Sequence, residues 1–389
     1  MKQCKIIKPE LNFVDKVGDL SLSENFLYNG DNLDIMSKIV ADYSNKIDII
    51  YIDPPYNTGK KMGKYNDNYS SHEKWLNFIK PRIVLAKEFL SDNGVIFISI
   101  GENEEAHLKL LCNDIFEEKN KIASIIWQSK YTVANDKRGI SSQTEYILVY
   151  AKDADNIIIN SDALRPEYVD KTYRNMDNDP RGLWRSVQLY KKKNKYSYKV
   201  ISPTGKEWTM PWNYSEEQWH NVLEKEQLIY WGKDGNSCPS KKVFIKDTKG
   251  TGIRNLWLDE DINLWLGNDV GYTSDGGAVL ESMFGDRNEF LYPKPVSLMK
   301  RILQVASQPN SLTMDFFAGS GTWGHAILEY NKEHGGNRRF ILITDNENNI
   351  CDRVAFPRIK KVINGYIDKK GKTFPPSPGR VSYYCFNKK

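Results

Sequence analysis

Residues Ile47–Ile52 read Ile-Asp-Ile-Ile-Tyr-Ile, a nearly continuous apolar run rich in β-branched side chains. Such a run fits a strand buried on both faces, which belongs in a parallel sheet covered by helices. It stops at Asp53-Pro54-Pro55-Tyr56, an acid, two rigid residues and an aromatic. A second apolar run, Leu312–Asp315, stops at Phe316-Phe317-Ala318-Gly319-Ser320-Gly321-Thr322. In open α/β sheets, ligands bind beyond the carboxyl ends of strands, so both turns are candidate site elements.

The intervening pattern fits that architecture. Residues 73–90 place Trp75, Leu76, Ile79, Ile83, Leu85, Ala86 and Leu90 largely on one helical face. Gly94 is expected to end this helix with a positive φ. Strands are predicted at 95–100, 122–127 and 144–150, with a helix at 102–115. Helices at 296–307, 322–330 and 349–363 and a strand at 340–344 resume the alternation in the last third. This βα order predicts a doubly wound, mostly parallel Rossmann-like sheet. Between about residues 162 and 285 the helical period fades into short alternating pieces such as 196–202 and 227–231. We therefore expect a catalytic domain in two parts, 1–161 and 286–389, interrupted by a mostly β module over 162–285.

With 389 residues, the chain is long enough for one large domain and a smaller module. A net charge of +5 permits nucleic acid as a partner without requiring it. The five cysteines are scattered with no CxxC pair, so their spacing suggests neither a zinc site nor a redox motif, and no metal is expected. Unpaired thiols fit a cytoplasmic setting. Met1-Lys2-Gln3-Cys4-Lys5 lacks the apolar stretch of a signal peptide, and no run reaches membrane-span length.

The first turn is suited to a flat ring bearing an amino group. An exocyclic amino nitrogen is a poor nucleophile while its lone pair is delocalised. Asp53 and the Pro54 carbonyl can accept its two N–H bonds, Pro54 and Pro55 hold the backbone, and Tyr56 can stack on the ring. The catalytic candidates are thus Asp53, Pro54, Pro55 and Tyr56. In the second turn, Gly319 and Gly321 admit a ligand close to the backbone, and the helix from Thr322 points its positive end there. Gly319 to Gly324 also fits G-x-G-x-x-G, a pattern shared with tight strand-to-helix turns. An acid after the next strand would hold ribose hydroxyls; Asp345 is best placed and Glu347 is the reserve. Asp31 and Asn32, expected ahead of the first strand, and Lys294, toward a cofactor carboxylate, complete the cofactor candidates with Asp315, Phe317 and Thr322.

These segments resemble the β-class amino-specific DNA methyltransferases, in which Asp-Pro-Pro-Tyr precedes the Phe-x-Gly-x-Gly turn. The resemblance extends to the modification (Mod) subunits of type III restriction–modification systems. It rests on Gly30-Asp31-Asn32-Leu33, on Tyr51 through Gly59, on Asp315 through Thr322, on Gly335 through Leu342, and on Asp177 through Gly182 with Gly232 through Asn236. It implies S-adenosylmethionine as donor, adenine N6 as acceptor and a target-recognition role for the insertion. Asp53, where cytosine-N4 enzymes more often carry Ser, is similar to the adenine enzymes. Trp323 departs from the smaller residue usual there. The chain is shorter than most Mod subunits, so a restriction subunit is a partner the resemblance permits rather than requires; a homodimer is expected on the same basis.

Double-stranded DNA hides the reacting nitrogen, so base flipping is expected. Within the insertion, Lys191, Lys192, Lys193 and Lys195 alternate with tyrosines, and Arg181 and Arg185 add guanidinium groups. These are the DNA-contact candidates, with Lys241, Lys242, Lys246, Lys249 and Arg254 as a second basic stretch. A cytosine-N4 enzyme, a catalytically silent specificity subunit and a nicotinamide dehydrogenase are the competing readings. The last leaves Asp53 to Tyr56 unexplained.

Overall fold

The computed structural model describes residues 10–62, 65–132, 140–164, 166–258, 270–285 and 292–387. The first five residues, including Cys4, fall outside that range. Two compact units emerge: Met1–Asn160 with Ile253–Lys389, and Ser161–Gly252.

The larger unit is built on a ten-stranded sheet. Its strands are β1 (Glu10–Gly18), β2 (Glu24–Asn29), β3 (Ile47–Ile52), β4 (Leu90–Ile100), β5 (Lys121–Gln128), β6 (Thr144–Ala151), β7 (Leu256–Trp257), β8 (Leu312–Asp315), β9 (Arg339–Thr344) and β10 (Arg380–Asn387). The order is β1-β10-β2-β9-β8-β3-β4-β6-β5-β7. From β10 through β4 every neighbouring pair is parallel. The principal helices are α1 (Asn32–Tyr43), α2 (His72–Phe89), α3 (Glu102–Phe116), α4 (Thr273–Phe284), α5 (Val296–Ala306), α6 (Thr322–His334) and α7 (Phe356–Asn364).

Strand β3 shows why the sheet is covered twice. Ile50 and Ile52 pack with Ile35 of α1, Ile79 of α2 and Leu108 of α3. Ile49 and Tyr51 share the opposite core with Ile302 of α5, Trp323 of α6 and Ile359 of α7. Period-two alternation on a strand buried from both sides produces two apolar cores, hence the doubly wound architecture.

The expected mostly parallel sheet is present, with differences in detail. Helix α2 ends at Phe89, and β4 begins at once. Gly94 lies inside β4 without a positive φ; a Cβ there would stand 2.8 Å from the Ile47 carbonyl oxygen, so close backbone approach is what requires glycine. Asp31 and Asn32, expected ahead of the first strand, come after β2, whose last residue is Asn29. The stretch at 349–363 contains a π-turn, Cys351–Ala355, before α7 begins.

The smaller unit closes at Gly252, so residues 253–258 and 270–285, expected within the insertion, belong with the larger unit. There β7 pairs in parallel with β5, and α4 is a twelve-residue helix. Gly276 and Gly277 in α4 lower its intrinsic helix propensity, which hid it in the sequence. The smaller unit itself is mostly β. A hairpin pairs Tyr196–Ile201 with Glu207–Trp212, and a three-stranded sheet joins Ile229–Tyr230, Ser240–Phe244 and Trp184–Gln188. Trp184, Trp212, Trp219, Leu223 and Phe244 form its core.

Candidate active site

Strands β3 and β8 are adjacent and parallel, but their chains leave in opposite directions. The chain from β3 runs through α2 to β4; that from β8 runs through α6 to β9. This is a topological switch point, and both candidate turns lie at its carboxyl edge.

Asp53 retains 27% of its side-chain exposure. Its Oδ1 receives the Lys294 ammonium at 2.9 Å and the Tyr56 hydroxyl at 2.9 Å. Among the described residues, Oδ2 has no protein partner. Lys294 is buried and also reaches the Tyr56 hydroxyl at 2.7 Å and Glu145 Oε2 at 3.1 Å. Its three protons thus meet three acceptors. Tyr56 and Glu145 Oε2 are 2.9 Å apart. Two carboxylates around one ammonium leave the cluster acidic.

Burial raises the Asp53 carboxyl above its ordinary value, while Lys294 opposes the rise. Burial alone would lower the Lys294 ammonium, but Asp53 and Glu145 more than offset it and hold it above the usual lysine range. Burial, reinforced by Asp53 and Glu145, pushes the Tyr56 phenol far up, so it remains protonated.

Neighbouring groups fix the backbone of this turn. The Trp75 indole donates to the Pro55 carbonyl at 2.7 Å. Asn103 donates to the Tyr56 carbonyl and, at 3.0 Å, to that of Asn57. Buried Asp67 receives the backbone N–H groups of Asn57 and Thr58 at 2.8 and 3.0 Å. The Pro54 carbonyl has no partner among the described residues. An acceptor pair, Asp53 Oδ2 and the Pro54 oxygen, is therefore held on a strapped turn.

The β8 turn is built for a ligand near its backbone. Gly319 and Gly321 take φ of 49° and 77°, and Gly321 caps the start of α6. Phe317 and Gly319 are partly exposed, whereas Phe316, Ala318 and Ser320 are buried. Buried Asp315 accepts the Phe317 N–H at 2.9 Å; burial drives its carboxyl well above the ordinary range. Beneath the turn, fully buried Arg358 donates to Ser320 Oγ at 3.0 Å, Thr322 Oγ1 at 2.8 Å and His325 Nδ1 at 3.1 Å. Asp345 stands exposed at the carboxyl end of β9.

Residues 47–356 match the N6/N4 methyltransferase family, described as DNA methylase. The chain belongs to this DNA methylase family. It is 33% identical to the Mod subunit of the type III restriction–modification enzyme StyLTI of Salmonella typhimurium, over 93% of this chain and 59% of that subunit. The EcoPI Mod subunit of Escherichia phage P1 is 30% identical over 84% of this chain and 58% of its own length. The chain thus spans under two thirds of these relatives. The type II methyltransferase M.KpnI of Klebsiella pneumoniae is 29% identical over 92% of this chain and 90% of its own.

Within this member of the family, the structure divides the candidates sharply. Asp53, Pro54, Pro55 and Tyr56 form one turn, as expected. Lys294, expected toward a cofactor, joins them instead of the β8 turn. Asp31 caps α1, accepting Leu33 N–H at 2.9 Å, and pairs with Arg82 at 3.1 Å. Asn32 bridges the Phe316 carbonyl at 2.7 Å and Arg82 Nε at 2.6 Å. Thr322 is buried against Arg358. These side chains brace the β8 turn and its surroundings; Phe317, Gly319 and Asp345 are partly or fully exposed, and the Glu347 backbone N–H donates to Asp345 at 3.2 Å.

In the insertion, Arg181 is fully engaged. It pairs with Asp179 at 2.7 Å, donates to the Glu226 and Gln227 carbonyls, and lies over Phe244. Lys242 is likewise buried against Asp177 and Asp179. The Arg181 hydrogen bond pulls the Asp179 carboxyl well below the usual range. Both cations are thus engaged in ion pairs inside the module. Lys191, Lys192, Lys193 and Lys195 remain exposed on the turn before Tyr196–Ile201, and Arg185 is half-buried.

Glu145, Trp75, Asn103 and Arg358 were missed in the sequence. Each acts only through a distant partner and carries no local motif. Gly276 was missed with its helix: a Cβ there would lie 2.0 Å from the Pro293 oxygen, so glycine lets Pro293 and Lys294 pass close to α4.

Proposed function

We propose that this chain transfers a methyl group from S-adenosylmethionine to N6 of an adenine flipped out of double-stranded DNA, within a cytoplasmic modification system. The observation that carries the reading is the state of Asp53: Oδ1 is held by Lys294 and Tyr56, while Oδ2 faces no donor among the described residues. A base amino group has two N–H donors, and Asp53 Oδ2 and the Pro54 carbonyl supply two fixed acceptors. Accepting both favours the pyramidal nitrogen whose lone pair can attack. Positive charge then develops on that nitrogen, and the acidic Asp53–Glu145 cluster stabilises it without reorganising. Asp53, with its raised carboxyl, is a better proton acceptor than an ordinary aspartate.

The β8 turn fits the donor: the left-handed glycines open its backbone, Phe317 is partly exposed, and Asp345 offers a carboxylate for ribose hydroxyls. The bound donor supplies an electrophilic methyl group on a sulfonium. The exposed lysine turn of the insertion would meet phosphates. The Mod relatives motivate a restriction subunit as a partner, and a second copy of this chain is the other partner carried by this reading.

The test is nucleoside mass spectrometry of unmethylated genomic DNA incubated with the protein and S-adenosylmethionine. N6-methyladenine supports the proposal. N4-methylcytosine would keep the pocket but move the acceptor, and the absence of either base despite tight donor binding would sink the reading for the chain alone.

A further inference from the structure

A second cluster lies beside the target turn and plays no part in the proposed reaction. Glu104, in the first turn of α3, is fully buried, yet the described residues place no lysine or arginine against it. Its carboxylate instead meets two imidazoles. His72 Nδ1 is 2.8 Å from Oε1, and His107 Nδ1 is 3.2 Å from Oε2. Imidazole balances a carboxylate only when protonated, and an uncompensated buried charge is costly.

Hydrogen bonding leaves the cluster incomplete. Glu104 Oε2 and His107 Nδ1 are both buried atoms without a hydrogen-bond partner, although they face each other at 3.2 Å. Their separation is right and their angle is wrong for a proton between them. It does match the edge of about 3.3 Å between two donors on one tetrahedral zinc ion. The donor atoms of His72, Glu104 and His107 all lie within 4.8 Å of one another. The two rings stack on each other at 4.2 Å and 21°. His72 and His107 side chains are 57% and 40% exposed, leaving room for an ion to enter and for water to complete its shell.

We propose that His72, Glu104 and His107 bind a divalent transition-metal ion of the zinc class, which fastens the turn that follows Tyr56. Two imidazole nitrogens and one carboxylate are a borderline donor set that suits zinc over magnesium or calcium. An outer partner is already present: Asn57 Nδ2 donates to Glu104 Oε1 at 2.6 Å, and Asn57 Oδ1 accepts the Tyr69 N–H at 2.9 Å. Asn57 adopts φ of 54°, a left-handed conformation held by these bonds and by Asp67. Orienting Glu104 thus orients Asn57 and the segment leading from Asp53 to Tyr56. The ion would be structural, joining α2 to α3, and the inference stands whether or not the chain methylates adenine.

The experiment titrates Zn²⁺ alone into the chelator-treated full chain by calorimetry, with elemental analysis after gel filtration. The comparison is with His72→Ala, His107→Ala and the double variant, each checked for native circular dichroism. The expected result is one zinc per wild-type chain, at least tenfold weaker binding in each single variant, and no stoichiometric binding in the double variant. Zinc should also raise the Tm of the wild type and leave that of the double variant unchanged. Failure of the folded wild type to retain zinc would overturn the proposal. So would equal binding by the double variant, which would place the ion elsewhere, for example on thiols.

Discussion

At the scale of single residues, the site depends on one lysine. Lys294 holds Asp53 Oδ1 and neutralises part of the charge shared with Glu145, which leaves Oδ2 as the open oxygen. Asp53→Ala should lower methyl-transfer turnover at least about a hundredfold. Donor affinity should stay near wild type; equal turnover in single-turnover assays would remove Asp53 from catalysis. The active form of Asp53 is the carboxylate. Because burial raises its pKa, turnover should fall on acidification at a higher pH than an ordinary aspartate would produce. Lys294→Gln removes the opposing influence, so the acid limb should move further up the pH scale. A limb that stayed in place would show that Asp53 does not control it. Asp53 and Tyr56 were legible because they are neighbours in the chain. Glu145 and Lys294 reach the same cluster from 89 and 238 residues beyond Tyr56, so their pairing appears only on folding.

At the scale of elements, α4 and the lysine turn make opposite demands on side chains. Helix α4 must admit the backbone of Pro293 and Lys294, and Gly276 provides the space. Gly276→Ala should cost about 1–3 kcal/mol by overpacking. It should also reduce turnover by displacing Lys294, with Tm and the pH profile as readouts. Unchanged turnover with normal stability would show that the segment tolerates a methyl group. The turn carrying Lys191, Lys192, Lys193 and Lys195 is exposed, so replacing all four with Gln should leave Tm unchanged. DNA affinity should fall, and the slope of log K against log salt should shrink by about 0.9 for each phosphate that is no longer neutralised. An unaltered slope would place the phosphate-binding groups elsewhere. Strands β3, β4 and β8 were readable from their apolar runs. Strands β1, β2 and β10 were not, because they pair between opposite chain ends and carry less distinctive patterns. Helix α4 was hidden by the two glycines that weaken its propensity, one of which its packing demands.

For the whole molecule, the division at Asn160 and Gly252 separates a two-sided α/β core from a tryptophan-rich β core. Differential scanning calorimetry should resolve two transitions. S-adenosylmethionine at about a hundred times its Kd should stabilise the larger unit by about 2.7 kcal/mol, leaving the other transition in place. A single transition that shifts as one would instead mean that the units unfold cooperatively. Among the described residues, no helix is long and apolar enough to cross a membrane. Local order in the chain was enough to specify the doubly wound class, the two strand-end turns and a separate β-rich segment, because apolar period and turn chemistry act over a few residues. Tertiary structure decided which cations of the insertion stay exposed, where the insertion ends and what completes the acidic cluster. Arg181 and Lys242 read as free cations in the chain but pair with Asp177 and Asp179 in the fold. Burial and ion pairing depend on groups brought together from far along the chain, and their energies exist only once those groups share one low-dielectric interior.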